Sequence, residues 1–275
     1  MESYKRREVT SRTTVDVDVH TPNAARIYDY LLEGKDNYAA DREAAETFLA
    51  VAPEIRFAAR QNRAFLIRAV RFLAAEAGIR QFLDLGSGLP TQSNVHTVAH
   101  EVAPDARVVY VDHDPVVVAH SRTILSGTDN ATVIQADVCR PDEILSHPKL
   151  RKLISFDEPV ALLCVGLLFL VADDDDPVGI VTQFREAMVP GSYLALSHIT
   201  RDGQRREAVE RLIQVFERAR EPMVPRTREQ IQRFFDGFEF VDPGLVRISE
   251  WRPGDPSTAQ NSGKGWLFAG VGRKS

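Results

Sequence analysis

Apolar positions change their spacing near residue 80, and that change divides the chain. Before it they recur at three- and four-residue steps. Ile27 and Leu31, with Tyr28 and Leu32 beside them, form one helical stripe. Thr21-Pro22 supplies an N-cap and a first-turn proline ahead of it, and Gly34 a stop behind it. A second helix is predicted over residues 40–51. A third starts after Pro53 and ends at Gly78, with Phe65, Leu66, Ala69, Val70, Phe72 and Leu73 as its buried stripe. No strand candidate precedes residue 79.

From Gln81 onward short apolar runs alternate with helical patterns. Strands are predicted at 81–85, 107–112, 131–136, 159–166 and 192–197, with helices near 91–102, 115–125, 141–146 and 177–188. This alternation predicts a doubly wound α/β fold, a mostly parallel sheet with helices on both faces. Beyond Asp202 come a long charged helix, a shorter one, and strands at 237–241, 245–248 and 265–272. The two strands joined by a proline-glycine turn suggest a hairpin, so at least one late strand should be antiparallel. Residues 253–264 have no periodicity and are expected to be mobile, as is an N-terminal arm over residues 1–20. The organisation expected is arm (1–20), helical lid (21–78) and sheet domain (79–275).

Composition narrows the function classes. The formal charge of −5 argues against a nucleic-acid binder dominated by phosphate contacts. The Arg-rich stretch 201–233 is interleaved with Glu and reads as a solvated helical face. Two cysteines, Cys139 and Cys164, lack metal-ligand or disulfide spacing. The longest apolar run, 159–172, is too short to span a membrane, and the polar start has no signal-like stretch. A cytoplasmic protein is expected, with neither a nucleic-acid nor a membrane partner. The run Asp173–Asp175 with Asp176 reads as an N-cap cluster before Pro177 rather than a metal site. Oligomeric state is not legible.

The chemistry concentrates at FLDLGSGLPT, where a strand runs into a G-x-G turn. Gly86 and Gly88 let the backbone bend sharply and approach a ligand, and Ser87 lies between them. The next strand ends in Asp112-His113, where a carboxylate can accept from both hydroxyls of a ribose. The third ends in Asp137-Val138, suited to an adenine amino group and ring nitrogen. Three successive strands thus carry polar groups on one sheet edge. A dinucleotide fingerprint is disfavoured: its last glycine position is Thr91, and Asp112 lies farther off than the usual spacing of about 20 residues.

With FLDLGSG, VDHDP and QADV in this order, the chain resembles the class I S-adenosylmethionine-dependent methyltransferases. More narrowly, TPNAARIYDYLLEGKDNYAADREAA, QNRAFLIRAVRFL and LDLGSGLPTQSNVH are similar to an actinobacterial methyltransferase-like family formerly listed as a domain of unknown function. The resemblance implies a seven-stranded sheet and S-adenosylmethionine as cofactor. It also implies that Gly86 and Gly88 flank the methionine part, that Asp112 holds the ribose, and that Asp137 and Val138 frame the adenine. Asp84 matches the motif's acidic position, orienting the turn or, through water, the cofactor's amino group. Pro90 replaces a frequent third glycine and narrows the loop.

The N-terminal helices are expected to cover the pocket, with Arg63 pairing with the methionine carboxylate and Tyr28 and Tyr38 facing the substrate. Gly166, Leu167 and Phe169, after the fourth strand, should line the acceptor site, and their apolar character suggests a partly nonpolar small molecule. Methyl transfer needs mainly alignment, so a dedicated base is optional. His198 is the candidate base by position; His96 and His113 lie nearer the cofactor segments. A non-catalytic S-adenosylmethionine sensor remains an alternative on sequence alone.

Overall fold

The computed structural model describes residues 18–90, 93–254 and 265–275. Most of the expected arm, residues 255–264 of the expected loop and Thr91 lie outside the described residues. Helices α1 (Ala24–Leu31), α2 (Ala39–Leu49) and α3 (Ile55–Ala75) come first. Then β1 (Gln81–Leu85), β2 (Arg107–Asp112), β3 (Ala131–Gln135), β4 (Ala161–Val165) and β5 (Tyr193–Ile199) alternate with α4 (Val95–Val102), α5 (Pro115–Ile124), α6 (Pro141–Leu145), α7 (Pro148–Leu153) and α8 (Pro177–Ala187). The helix α7, unforeseen in the sequence, starts at Pro148 behind the cap His147. The chain finishes with α9 (Arg206–Arg218), α10 (Arg228–Gln232), β6 (Phe238–Phe240), β7 (Val246–Arg247) and β8 (Leu267–Lys274).

The sheet order is β3-β2-β1-β4-β5-β8-β6, with β7 also on β8. Strands β1 to β5 are parallel, and β8 runs antiparallel to β5, β6 and β7. The sheet therefore has eight strands rather than seven. β6 pairs with Gly272–Lys274 and β7 with Phe268–Ala269, so the two lie end to end along one edge of β8. They form no hairpin with each other. The Pro243-Gly244 turn between them interrupts the ladder, because proline brings no N–H and Gly244 sits at φ 87°.

Alternation along the strands feeds two cores. Phe82, Val108, Tyr110, Val133, Leu163 and Ala195 face α1–α4 and α9, whereas Leu83, Val109, Ile134, Leu162 and Leu194 face α6–α8. The N-terminal helices share the first core with the sheet. Trp251 packs edge-on against Phe65 at 5.2 Å, and Trp266 against Phe48 at 5.6 Å. Arg68 of α3 donates to the carbonyls of Trp251 and Ile248, fixing that helix to the C-terminal segment.

Two details of the first helix differ from the sequence reading. The cap of α1 is Asn23, whose side chain accepts from the Arg26 N–H, rather than Thr21. The left-handed residue after α1 is Glu33, at φ 64°. Gly34 is required for space instead: a Cβ there would lie 2.0 Å from Asp29 Oδ1. That buried carboxylate accepts from Asp36 N and Asn37 Nδ2 and so ties the α1–α2 loop together. Asp41, also buried, accepts from Arg26 Nε at 2.8 Å and from the amides of Asn23 and Tyr38. The polar cluster around Gly34 is thus a knot within the helices.

Candidate active site

A cavity of about 1360 Å³, counted out to its open mouth, lies between the carboxyl ends of β1, β2 and β4 and the helices α1, α2, α3 and α9. Open α/β sheets bind ligands at this edge, where the crossovers diverge on either side of β1.

One end of the cavity is polar. Gly86 and Ser87 donate their amides to Val111 O, and Gly88 donates its amide to Asp112 Oδ2 at 2.8 Å. Gly86 and Gly88 both sit at φ 64°, so the turn requires the left-handed region that glycine tolerates. Asp112 Oδ1 accepts from Asp114 N at 3.0 Å, and Asp114 in turn caps α5 through Val116 N. One carboxylate therefore holds both the glycine turn and the start of the next helix. Burial raises the Asp112 carboxyl above its ordinary pKa, while the amides of Asp114 and Gly88 favour its charged form. Burial also pushes Asp84 up, to about 7; Arg63 opposes the shift and Asp112 adds to it.

Three observations bear on whether these residues fit a charged nucleoside donor. Ser87 Oγ is buried at the cavity wall and has no hydrogen-bond partner among the described residues. A Cβ at Gly88 would enter open space, so the turn presents bare backbone to the cavity. Arg63 lines the same end, donating to Ser93 O and favouring ionisation of Asp84. A ligand carrying carboxylate, ammonium and hydroxyl groups matches this set.

Glu221, just beyond α9, joins this end and was missed in the sequence. It accepts from Ala24 N at 3.2 Å, linking α9 to the start of α1. Burial raises its carboxyl; Ala24 N–H and His113 favour the charged form, and Asp114 and Asp112 disfavour it. No local motif marks Glu221, because it reaches the site only through tertiary packing. The charged stretch 201–233 is likewise more than a solvated face. Ala208, Leu212, Val215 and Phe216 are buried at helical spacing, and the last three line the cavity. That periodicity was the available signal.

Between the ends stand Asn62, Tyr28, Gly166 and Leu167. Asn62 Nδ2 donates to Tyr28 Oη at 3.1 Å, Tyr28 Oη donates to Ala59 O, and Ser197 Oγ donates to Asn62 Oδ1. Gly166, at φ 77°, leaves room for Asn62, whose Nδ2 would be 2.9 Å from any Cβ. Leu167 covers Gly86 and Phe169 continues the wall.

The cavity brings together Tyr28, Arg63, Asp84, Gly86, Ser87, Gly88, Asp112, His113, Gly166, Leu167 and Phe169. Four anticipated residues lie elsewhere. Tyr38 is exposed under the Arg26 guanidinium, because the Asp41 carboxylate holds its amide at the start of α2. Asp137 and Val138 are outside the cavity wall; Asp137 Oδ1 accepts from Cys139 N and turns the chain after β3. His198 is fully buried behind the wall, between Phe169 and Phe234. Its Nδ1 donates to Ile199 O at 2.7 Å and its Nε2 accepts from Arg226 at 3.0 Å. Burial pushes its pKa down to about 3, so it has neither access nor a free nitrogen for base chemistry. Arg226 also donates to Leu168 O, Val171 O and Asp173, which fastens the segment after β4 to β5. Of the aspartate run, Asp173 therefore serves that anchor and Asp176 caps α8 through Gly179 N. His96 faces Tyr110, with Nδ1 2.7 Å from the phenol oxygen.

Fold and site define an α/β transferase of the kind that binds an adenosyl donor over a glycine turn. A family described as S-adenosyl methyltransferase matches residues 10–275, and the chain belongs to it. It is 40% identical to a DUF574 family protein from Streptomyces avermitilis, with 94% of this chain and 99% of that one covered and a TM-score of 0.89. A candidate methyltransferase from Thermobifida fusca is 45% identical, over 94% of this chain and 97% of that one, with a TM-score of 0.88. Among curated proteins no match was found. The chain is an S-adenosylmethionine-dependent methyltransferase. Among the described residues no helix is long and apolar enough to cross a membrane.

Proposed function

We propose that the protein transfers a methyl group to a small-molecule acceptor, with the donor at the polar end of the cavity and α1–α3 as its cover. The observation that carries this reading is the turn itself: bare backbone at Gly88, a Ser87 Oγ without a partner among the described residues and the buried Asp112 carboxylate converge on one cavity. When bound, S-adenosylmethionine supplies a sulfonium methyl that an acceptor lone pair displaces in line, the C–S electron pair staying on sulfur and the acceptor proton leaving to water.

The chain's own residues then have distinct tasks. Arg63 holds the donor carboxylate with its guanidinium fork, and Asp84 faces the amino group. Asp112 receives the ribose hydroxyls while its two amide contacts keep it oriented. Ser87 Oγ contributes a hydroxyl to the methionine end. Helices α1–α3 shield the reacting atoms from bulk water, which strengthens the electrostatics inside, while the open mouth of the cavity gives the released proton a path to solvent.

Asp112→Ala tests the donor assignment. Loss of hydrogen bonds to a charged acceptor should cost roughly 1.5–3 kcal/mol, about tenfold to a hundredfold in affinity for S-adenosylhomocysteine. Calorimetry giving wild-type affinity in a folded variant refutes it.

A further inference from the structure

The remainder of the cavity has a different chemistry from the donor end. Away from the glycine turn its wall is Ile27, Leu31, Phe48, Leu66, Leu212 and Phe216, with further aliphatic side chains between them. These come from α1, α2, α3 and α9, so the chamber is enclosed by helices on several sides. Every charged or imidazole side chain among the described lining residues belongs to the polar end. Arg63, Asp84, Asp112, His113 and Asp114 are on or beside the strand edge, and Glu221 is held by Ala24 N near them. Of the uncharged polar side chains on the described lining, Ser87 belongs to the glycine turn, Asn23 donates to Glu221, and Tyr28 and Asn62 bond to each other. Burial raises the Tyr28 pKa, which keeps the phenol neutral.

We infer that the methyl acceptor is an uncharged, predominantly apolar molecule carrying one nucleophilic heteroatom, its body in the helical chamber and that heteroatom against Asn62. This rests on the reading of the polar end as the donor site.

The argument is one of desolvation. A charged acceptor would be stripped of water in this chamber with no counter-ion to meet it, which costs far more than hydrophobic contact returns. An uncharged ring or aliphatic body meets no such penalty. Asn62 stands where the chamber joins the donor end, against Gly166. Its Nδ2 carries two N–H groups, of which one is directed to Tyr28 Oη. Ser197 Oγ at Oδ1 fixes the amide's orientation, so the second N–H has a defined direction for an acceptor lone pair. Asn62 thus positions the heteroatom and leaves another lone pair for the methyl group.

The test uses the full chain and a matched set of probes: 2-naphthol, naphthalene and 2-naphthoate. Calorimetry first measures S-adenosylhomocysteine binding, then each probe against the loaded protein. The expected result is that 2-naphthol binds at least about tenfold more tightly than naphthoate, which brings a charge, and more tightly than naphthalene, which lacks the heteroatom. Leu212→Gln, which puts an amide into the chamber wall, should weaken naphthol several-fold and leave S-adenosylhomocysteine affinity unchanged. The proposal is overturned if the loaded protein binds naphthoate as well as or better than naphthol, or binds none of the three. If S-adenosylhomocysteine itself fails to bind, the donor assignment falls first and this inference with it. The two failures are therefore distinguishable.

Discussion

At the strand edge, the cavity is walled by backbone that the sheet itself fixes: the amides of Gly86 and Ser87 are held by Val111 O, and that of Gly88 by Asp112. At the opposite end the wall consists of side chains from four helices, among them Leu31, Phe48, Leu66 and Leu212. The first wall is specified by a few residues in a row and tolerates little change. The second is an ordinary helical interface whose shape is a sum of many apolar contacts. A donor common to many enzymes suits the first kind of wall, and an acceptor peculiar to one enzyme suits the second.

The sharpest way to break this contrast is Gly88→Val. The left-handed backbone there costs a side chain roughly 1–2 kcal/mol, yet a Cβ at Gly88 meets nothing within 4 Å. The variant should remain folded and lose S-adenosylhomocysteine binding altogether, because the new methyls occupy donor space. Thermal melts paired with titrations decide it. A destabilised variant that still binds normally, molecule for folded molecule, would make Gly88 a turn residue and no more.

The contrast also explains what was readable beforehand. Strands β1 and β2 were legible to the residue, since alternation and the G-x-G turn are local signals. The positions of Asp84, Asp112 and Leu167 on one cavity follow from the same local signals. Glu221 and the inner face of α9 were not, because their approach to α1 depends on how two distant segments pack. Tyr38 and His198 were misplaced for a related reason. Residue type and chain position suggested chemistry, but Asp41 turned Tyr38 outward and Arg226 took the only free nitrogen of His198. The split of the last edge into β6 and β7 required knowing that β8 would pair with both.

A second prediction probes the polar end through pH. Asp84 rises from its ordinary value of 3.8 to about 7 in the folded chain, chiefly through burial. The folded protein therefore holds a proton that the unfolded chain has released, and the free protein should lose stability as pH rises from about 4 to 7. The full effect is up to about 4 kcal/mol. Asp84→Asn should abolish this slope. A donor ammonium beside Asp84 would favour the carboxylate, so binding near pH 7 should release a proton. Binding enthalpies in buffers of different ionisation heat measure that release. Its persistence in Asp84→Asn would assign it to another group.

The smallest effect on transfer is expected at His198, and it sharpens the comparison by testing a residue behind both walls. His198→Asn removes an acceptor from the buried Arg226 and should destabilise the protein by about 1–3 kcal/mol. Turnover per folded molecule, and its pH profile, should match the wild type, because no ring nitrogen reaches the cavity. The stability profile carries an independent sign. A histidine held at about 3 when folded but near 6.5 when unfolded stabilises the native state above pH 6.5, and that contribution is lost as pH falls toward 3. This slope opposes the one from Asp84 between about pH 4 and 6.5, so the wild type can look nearly flat there. The single variants separate them: Asp84→Asn leaves stability rising with pH, and His198→Asn leaves it falling. A shift of the turnover profile in His198→Asn, at unchanged fold, would return the imidazole to the reaction and require the wall at Phe169 to open.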